Sequence, residues 1–333
     1  MRISIGVPAY NQGQYLAETL DSLLNQTVPP DEIVVSDNHS TDETPDVLRR
    51  YEGRVRVIRP PQHLPMTAHW NYVVERLSGE WFSLLSSDDV AEPRFVHHLS
   101  RAVTRYPNAV LVRAGWREIS PSGQAKGGRP MLLWSTSVVT EPPRTFLEQL
   151  EGPKTSFAAF LCRRSAWAQV GGFPASLRLY GDWGLWMRLS PVGTFVTTHR
   201  VVARYRNGYP NSRTRDRIVD GAHDERVVAL ELAVGVADAL GLSCETELRR
   251  AAEYRLMTYL AQAVGIADAA TRERVADELN PMAEMVGQGR IVDDFRAGKL
   301  VQVPARRGLV SRGAALMGAR LRDITARRSQ SVG

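Results

Sequence analysis

The feature that most restricts how this chain can fold is the alternation, through its first half, of short β-branched runs with amphipathic helical stretches. Such alternation marks a mostly parallel sheet covered by helices. Ile3 to Val7 reads as a strand, and Leu16, Leu20, Leu23 and Leu24 then form one helical stripe that Pro29 and Pro30 end. Glu32 to Ser36 reads as a second strand, and Ser40 with Glu43 resembles a capping box opening a helix. Val55 to Ile58, a helix over Thr67 to Leu77 and a strand over Trp81 to Leu85 follow. Beyond Pro93 come a helix to about Tyr106, a strand at Ala109 to Val112 and a Gly/Pro/Ser-rich excursion from Pro121 to Pro130. A strand at Ser156 to Leu161, helices at Ser165 to Val170 and Trp183 to Leu189, and strands at Phe195 to Thr198 and Val201 to Tyr205 complete a first unit, placed at residues 1–215. From His223 to about Gly287 the pattern is helical, broken near Gly241 and at Gly265 to Thr271, so residues 216–333 are expected to form a helical C-terminal region with a basic tail.

The 333 residues, 43% of them apolar, suffice for one large core or a core with an appended layer. Cys162 and Cys244 form neither a zinc pattern nor a disulfide framework and are expected to be buried as small hydrophobes. No basic start leads into an apolar stretch, and no uncharged apolar run is long enough to span a bilayer, so the expectation is a cytoplasmic protein. The net charge of +6 suggests nucleic acid until it is located. From Arg290 onward ten basic residues face three aspartates, Asp293, Asp294 and Asp323, which leaves the first 289 residues at −1. No aromatic-and-basic recognition motif accompanies that tail, so no nucleic-acid partner is expected. Its Val310, Ala314, Met317, Leu321 and Ile324 share one helical face. That face suits packing on the body or on a second copy in a homodimer, with peripheral contact to an anionic membrane face as the alternative.

In open α/β sheets ligands sit at the carboxyl ends of the strands. Here those ends are polar: Pro8-Ala9-Tyr10-Asn11 after the first strand, Asp37-Asn38-His39-Ser40-Thr41-Asp42 after the second, and Ser86-Ser87-Asp88-Asp89 after the fourth. Acidic clusters on one edge repel one another unless a cation or a hydrogen-bonding ligand joins them, as a nucleotide diphosphate with a divalent metal does. Neither Gly-x-Gly-x-x-Gly after the first strand nor Gly-x4-Gly-Lys-Ser/Thr occurs, so phosphate is expected to be met through metal. The hard oxygens of Asp88 and Asp89 suit Mg²⁺ or Mn²⁺. An Asp-Asp pair at a strand end is also a common turn and cap, so the order and spacing of all three clusters carry the argument.

Val7-Pro8-Ala9-Tyr10-Asn11, Gln26, Ile33-Val34-Val35-Ser36-Asp37-Asn38 with Ser40-Thr41-Asp42, and Ser86 to Asp89 together resemble glycosyltransferase family 2, over roughly residues 1–210. The resemblance implies a GT-A fold, a Rossmann-like mixed sheet flanked by helices, with a nucleotide-sugar donor, a divalent metal and inversion at the anomeric carbon. Carried over residue by residue, Pro8, Ala9, Tyr10, Asn11, Asp37 and Asn38 would cradle the nucleoside. His69, Asn71 and Ser87 would meet the base or diphosphate, and Asp88 would stand for the final aspartate of Asp-x-Asp and contact the metal with Asp89. Tyr180-Gly181-Asp182-Trp183-Gly184-Leu185-Trp186-Met187-Arg188 resembles the family's acidic helix, which makes Asp182 the catalytic base and Trp183 and Trp186 candidates for stacking on an acceptor sugar. Arg204, Arg206 and Arg213 are candidates for meeting the diphosphate or an anionic acceptor.

The chain departs from the family twice. Ser86 replaces the first aspartate of Asp-x-Asp, and Tyr205-Arg206-Asn207-Gly208 lacks the histidine of Tyr-Arg-x-His, with Asn207 or Tyr209 as candidate substitutes. The reading is therefore an inverting, metal-assisted glycosyltransferase that uses a UDP-sugar, with a dTDP-sugar as the alternative, and an acceptor glycan or small molecule. Acceptor choice is assigned to the stretch from Pro121 to Pro153 and to the helices after His223. The rivals are a nucleotidyltransferase, which would carry a Gly-rich basic first loop, and a catalytically degenerate nucleotide-sugar-binding protein.

Overall fold

The computed structural model describes residues 1–126, 136–150, 154–177, 180–208, 232–242, 245–263, 266 and 268–300. The chain divides into two compact units, Met1–Ser243 and Cys244–Gly333. The expected boundary at 215/216 and the tail helix after residue 300 lie outside the described residues, as do Cys244, Tyr209 and Arg213.

The first unit is a nine-stranded sheet flanked by helices. In chain order it contains β1 (Ile3–Ala9), α1 (Gly13–Leu24), β2 (Glu32–Asp37), α2 (Thr44–Arg49), β3 (Arg56–Ile58), α3 (Met66–Glu75), β4 (Trp81–Leu84), β5 (Val90–Ala91) and α4 (Phe95–Arg105). It continues through β6 (Ala109–Ile119), β7 (Val138–Thr140), α5 (Arg144–Leu150), β8 (Phe160–Arg163), α6 (Arg164–Gln169), α7 (Gly181–Leu189) and β9 (Thr194–Arg206), and residues 232–239 form α8. The strand order is β3-β2-β1-β4-β8-β6-β9-β5, with β7 also on β9. β1 is parallel to β2 and β4, and β2 to β3, while β8 lies antiparallel between β4 and β6, and β9 runs parallel to β6. The carboxyl ends of β1, β2, β4, β6 and β9 consequently meet on one edge. The chain leaves β1 toward β2 on one side while β4 takes the other, which is the strand-order reversal where open sheets bind ligands.

The leucine stripe of α1 buries Leu16, Leu20 and Leu23 against Ile5, Val7 and Val35 of the sheet, and α4 adds Phe95, Leu99 and Val103. Each such side chain contributes about 1.5–3 kcal/mol of transfer free energy. The helix after β2 begins at Thr44 rather than at a Ser40–Glu43 box: Asp42 Oδ1 accepts the Thr44 N–H at 3.0 Å, and Ser40 serves another loop. The two strands expected near 195–205 form one, because residues 198–200 are absorbed where the β6–β9 register shifts between Arg113↔Thr197 and Gly115↔Val201. Cys162 is buried, and burial pushes its thiol pKa up, as expected of an inert small hydrophobe.

The second unit holds α9 (Glu245–Ala263), α10 (Ala269–Val286) and α11 (Gly289–Arg296). α10 packs on both of the others through Val275, Leu279 and Met282. Asp268 caps its start by accepting from the Thr271 N–H at 2.7 Å, and Gly287 ends it in the left-handed region at φ 69°. Among the described residues no helix is long and apolar enough to cross a membrane.

The opposite edge of the sheet is pinned by Glu32. Its Oε2 accepts from Ser4 Oγ at 2.6 Å and from the Ser78 N–H at 2.9 Å, and its Oε1 accepts from Arg56 at 2.8 Å. Burial alone would raise its pKa, but these donors outweigh burial and bring it from 4.5 to about 2. The depressed pKa gives stability that is present above pH 4.5 and is lost as the pH falls toward about 2. Glu32→Gln is expected to destabilise the protein by about 1–2 kcal/mol at neutral pH. Denaturant unfolding at several pH values checks this, since the difference from wild type must shrink through that acid window.

Candidate active site

At the edge where the strands end, the loops after β1 and β2 are tied together. Asn11 and His39 adopt left-handed backbones, at φ 51° and 63°, which Asn and His tolerate better than most residues. The Asn11 N–H donates to Ser40 Oγ at 3.0 Å, Asn11 Oδ1 accepts from the Thr41 N–H at 2.8 Å, and the Asn38 N–H donates to Ala9 O at 2.9 Å. Asp37 Oδ1 accepts from the Ser40 N–H at 2.9 Å, while its Oδ2 lies 3.9 Å from Arg59 Nε. Asn38 exchanges hydrogen bonds with the Leu64 backbone, at 2.8 and 2.9 Å, and so fixes the loop before α3 instead of facing outward. That loop brings the His63 ring to 4.6 Å from the ring of Tyr10, which is 39% exposed, and the pair forms an open aromatic surface beside Asp37. Pro8 is half-buried and Ala9 buried beneath it.

The turn after β4 closes through the Asp89 N–H donating to Ser86 O at 3.1 Å. Thr19 Oγ1 of α1 donates to Ser87 O at 3.0 Å and to Asp89 O at 2.7 Å. Asp89 is almost wholly buried, its Oδ1 accepts from the Arg206 N–H at 2.9 Å, and burial followed by the neighbouring Asp88 charge pushes its carboxyl up against the opposing pull of Arg206. Asp88 keeps somewhat more exposure, at 9% against 1%.

Among the described residues no group of three or more His, Cys, Asp or Glu is placed to hold a metal. The chain offers instead one edge carboxylate with a second behind it. That set suits Mg²⁺ or Mn²⁺, which is commonly held by one or two carboxylates with substrate phosphates and water completing the shell. Gly208 has φ 99°, in the left-handed region, and a side chain there would begin 3.1 Å from Lys126 Nζ, so an ammonium lies near the position where the expected histidine is missing.

Asp182 lies in the first turn of α7, half-buried, with Oδ1 accepting the Trp183 N–H at 2.8 Å. Its position depends on Gly181, where a Cβ would sit 2.2 Å from Thr67 Cγ2. Only glycine lets the start of α7 press against the start of α3, and α3 begins at the carboxyl edge because it follows β3. Asp182 is thereby brought to the side of the sheet that carries Asp37 and Asp88.

Several of the residues expected to meet donor or acceptor have partners within the protein. His69 is interior, with Nε2 2.8 Å from Ser36 Oγ, and the half-buried Asn71 accepts from and donates to the Phe173 backbone at 2.9 Å each way, so both tie α3 to its neighbours. Trp183 and Trp186 are core: Trp183 Nε1 donates to Gln149 O at 3.0 Å, and the Trp186 ring lies 4.8 Å from that of Phe160, so neither has a face to offer an acceptor. Arg204 pairs with Glu92 at 2.9 Å, and Arg206 is buried with its guanidinium turned into the protein. The sequence signal for Arg206 was its place at a strand end, which does not tell an inward arginine from an outward one.

A mixed sheet of this order with acidic loops on one edge has the GT-A architecture. The model of the family described as "Glycosyl transferase family 2" matches residues 4–171, half of the chain, and the chain belongs to that family. Curated relatives include a chondroitin synthase and a hyaluronan synthase of Pasteurella multocida, each 29% identical over 206 residues, 60% of this chain and 20% of either synthase. A putative teichuronic acid biosynthesis glycosyltransferase, TuaG, of Bacillus subtilis is 33% identical over 90 residues, 26% of this chain and 36% of that protein. The chain therefore matches about a fifth of the length of the two synthases. Among solved structures, S. aureus TarS 1-349 in complex with UDP superimposes with TM-score 0.63 at 15% identity, over 90% of this chain and 88% of that one. Mannosyltransferase PcManGT of Pyrobaculum calidifontis, in complex with GDP-Man and Mn²⁺, gives 0.51 at 16% identity, over 90% and 87%. These structural likenesses bear on the fold.

Burial first, and the His63 charge second to it among the lowering effects, brings the His69 pKa from 6.5 to about 4 despite the nearby Asp37. His69 is thus neutral at neutral pH, and its contribution to stability falls as the pH drops from 6.5 toward about 4. NMR titration of the His69 ring is expected to give a midpoint near pH 4; a midpoint at or above 6.5 would contradict the buried Ser36–His69 contact.

Proposed function

We propose that the protein is an inverting glycosyltransferase that moves a sugar from a UDP-sugar to a hydroxyl or amine of a glycan or small-molecule acceptor. The observation that carries this reading is the convergence of the loops after β1, β2 and β4 on one sheet edge, cross-tied through Asn11, Ser40 and Thr41. In this reading the uracil lies by the Tyr10–His63 surface, with Asp37 Oδ2 accepting from the base, and thymine would pair equally well. Pro8, Ala9 and Asn11 line the nucleoside, and Ser87 and Asp88 face the diphosphate. Asp88, backed by Asp89, would hold Mg²⁺ or Mn²⁺, whose charge would offset that of the departing nucleoside diphosphate. Asp182 takes the proton of the acceptor as its oxygen or nitrogen attacks the anomeric carbon from the face opposite the departing diphosphate.

The UDP in the TarS complex supports the donor class, and the Mn²⁺ in the mannosyltransferase complex supports the metal. A glycan acceptor is supported by the names of the chondroitin, hyaluronan and teichuronic acid relatives.

Turnover of UDP-, dTDP- and GDP-sugars with oligosaccharide acceptors tests the reading. Asp182→Asn is expected to lower kcat by about 10²- to 10⁴-fold while donor binding is retained. An Asp182→Asn enzyme with wild-type kcat would remove Asp182 from the role of base. Nucleotide binding by the wild type with no turnover of any donor would favour a catalytically degenerate binding protein instead.

A further inference from the structure

Arg206 is 2% exposed, yet each nitrogen of its guanidinium has an acceptor. Nε donates to Asp88 O at 2.8 Å, Nη1 to Ser120 O at 3.2 Å and Pro121 O at 3.0 Å, and Nη2 to Glu18 Oε2 at 2.5 Å. The Tyr15 ring lies 4.6 Å from the guanidinium carbon, and the Arg206 N–H meets Asp89 Oδ1. One side chain at the end of β9 thus joins the turn after β4, the turn after β6 and the outer face of α1.

We propose that Arg206 is a positioning residue, one that sets where the Asp88 carboxylate stands at the sheet edge without touching the donor itself. The inference rests on the reading of Asp88 as the group that meets the donor's diphosphate and metal. Thr19 already holds the carbonyls of Ser87 and Asp89, so the Asp88 carbonyl between them is held by the Arg206 guanidinium. Removing the guanidinium leaves the Arg206 N–H bond to Asp89 and the Asp89 N–H bond to Ser86 O in place but takes its hold off the Asp88 carbonyl, so the turn stays closed while the Asp88 peptide can tilt within it. A planar fork with donors in several directions is needed to reach four carbonyl and carboxylate oxygens at once, and an ammonium at the same place cannot span them. A misplacement of about 1 Å in such a site costs on the order of 10²-fold.

The test is calorimetric titration of UDP into the full chain, with and without Mn²⁺, for wild type, Arg206→Met and Arg206→Lys. The proposal expects Mn²⁺ to tighten UDP binding by wild type, and expects that gain to fall by about tenfold or more in both variants. Affinity for UDP alone should stay within about twofold, because the Asp37 side of the cleft does not depend on Arg206. An arginine that only stabilises the core would lower the unfolding temperature of the variants and leave the Mn²⁺ gain of the folded protein intact, and that result would overturn the proposal. If Arg206→Met does not fold, Glu18→Gln decides: Glu18 is about half exposed, and loosening its grip on Arg206 should cut the Mn²⁺ gain by about two- to fivefold, an unchanged gain counting against the proposal. A wild type that binds UDP without any Mn²⁺ gain would instead defeat the reading of Asp88 on which the proposal stands.

Discussion

Two neighbouring aspartates sit inside the protein at the end of β4, and the sheet edge depends on how their charges are held. Adjacent carboxylates out of water repel each other and lose hydration, a combination that proteins tolerate only with nearby cations and directed hydrogen bonds. Arg206 supplies both, through its backbone to Asp89 and its guanidinium to the Asp88 carbonyl, while α1 contributes Thr19 from below and Glu18 from outside. The strands that carry these residues, β4 and β9, are not neighbours in the sheet. The acidic turn therefore links the centre of the sheet to its far side, where β5 pairs antiparallel with β9 through Val90↔Arg204 and Ala91↔Ala203.

The opposite half of the edge is organised chiefly by hydrogen bonds between loops, with Arg59 Nε 3.9 Å from Asp37 Oδ2. Asn11 and His39 hold left-handed backbones that cost on the order of 1–3 kcal/mol each, and they persist because the surrounding hydrogen bonds between the β1 and β2 loops over-determine them. Strain of this kind gathers where a loop must present specific atoms outward. Here the Tyr10 ring stays exposed while the rest of the loop, Asp37 included, is buried and bound internally.

Much of this was legible in the sequence because the elements that build the edge are locally periodic. β1, α1, β2, α3, β4 and α4 follow from hydrophobic spacing and proline punctuation, and polar runs directly after strands pointed to the edge. β5, with two residues, and β7, with three, exist only through pairing with β9, so no local pattern announces them. β9 itself looked like two strands because His199 and Arg200 interrupt its alternation, a break that the sheet absorbs as a register shift. Side-chain direction was the part the sequence concealed. Asn71, Trp183, Trp186 and Arg206 are residue types found equally at mouths of sites and inside proteins, and here each is spent on internal contacts. The missing histidine at Gly208 also gains a physical setting: the backbone is left-handed there, a conformation that favours glycine, and Lys126 Nζ lies 3.1 Å from where a side chain would begin.

In the proposed function a nucleotide-sugar donor binds at the edge between Asp37 and Asp88. Crystals of the chain grown with UDP and Mn²⁺, measured for the anomalous signal of manganese, test it most directly. The uracil is expected against Tyr10 with its N3–H toward Asp37, and the manganese peak beside the Asp88 carboxylate. UDP seated away from this edge, or a manganese peak that does not adjoin Asp88 when UDP is bound, would contradict it.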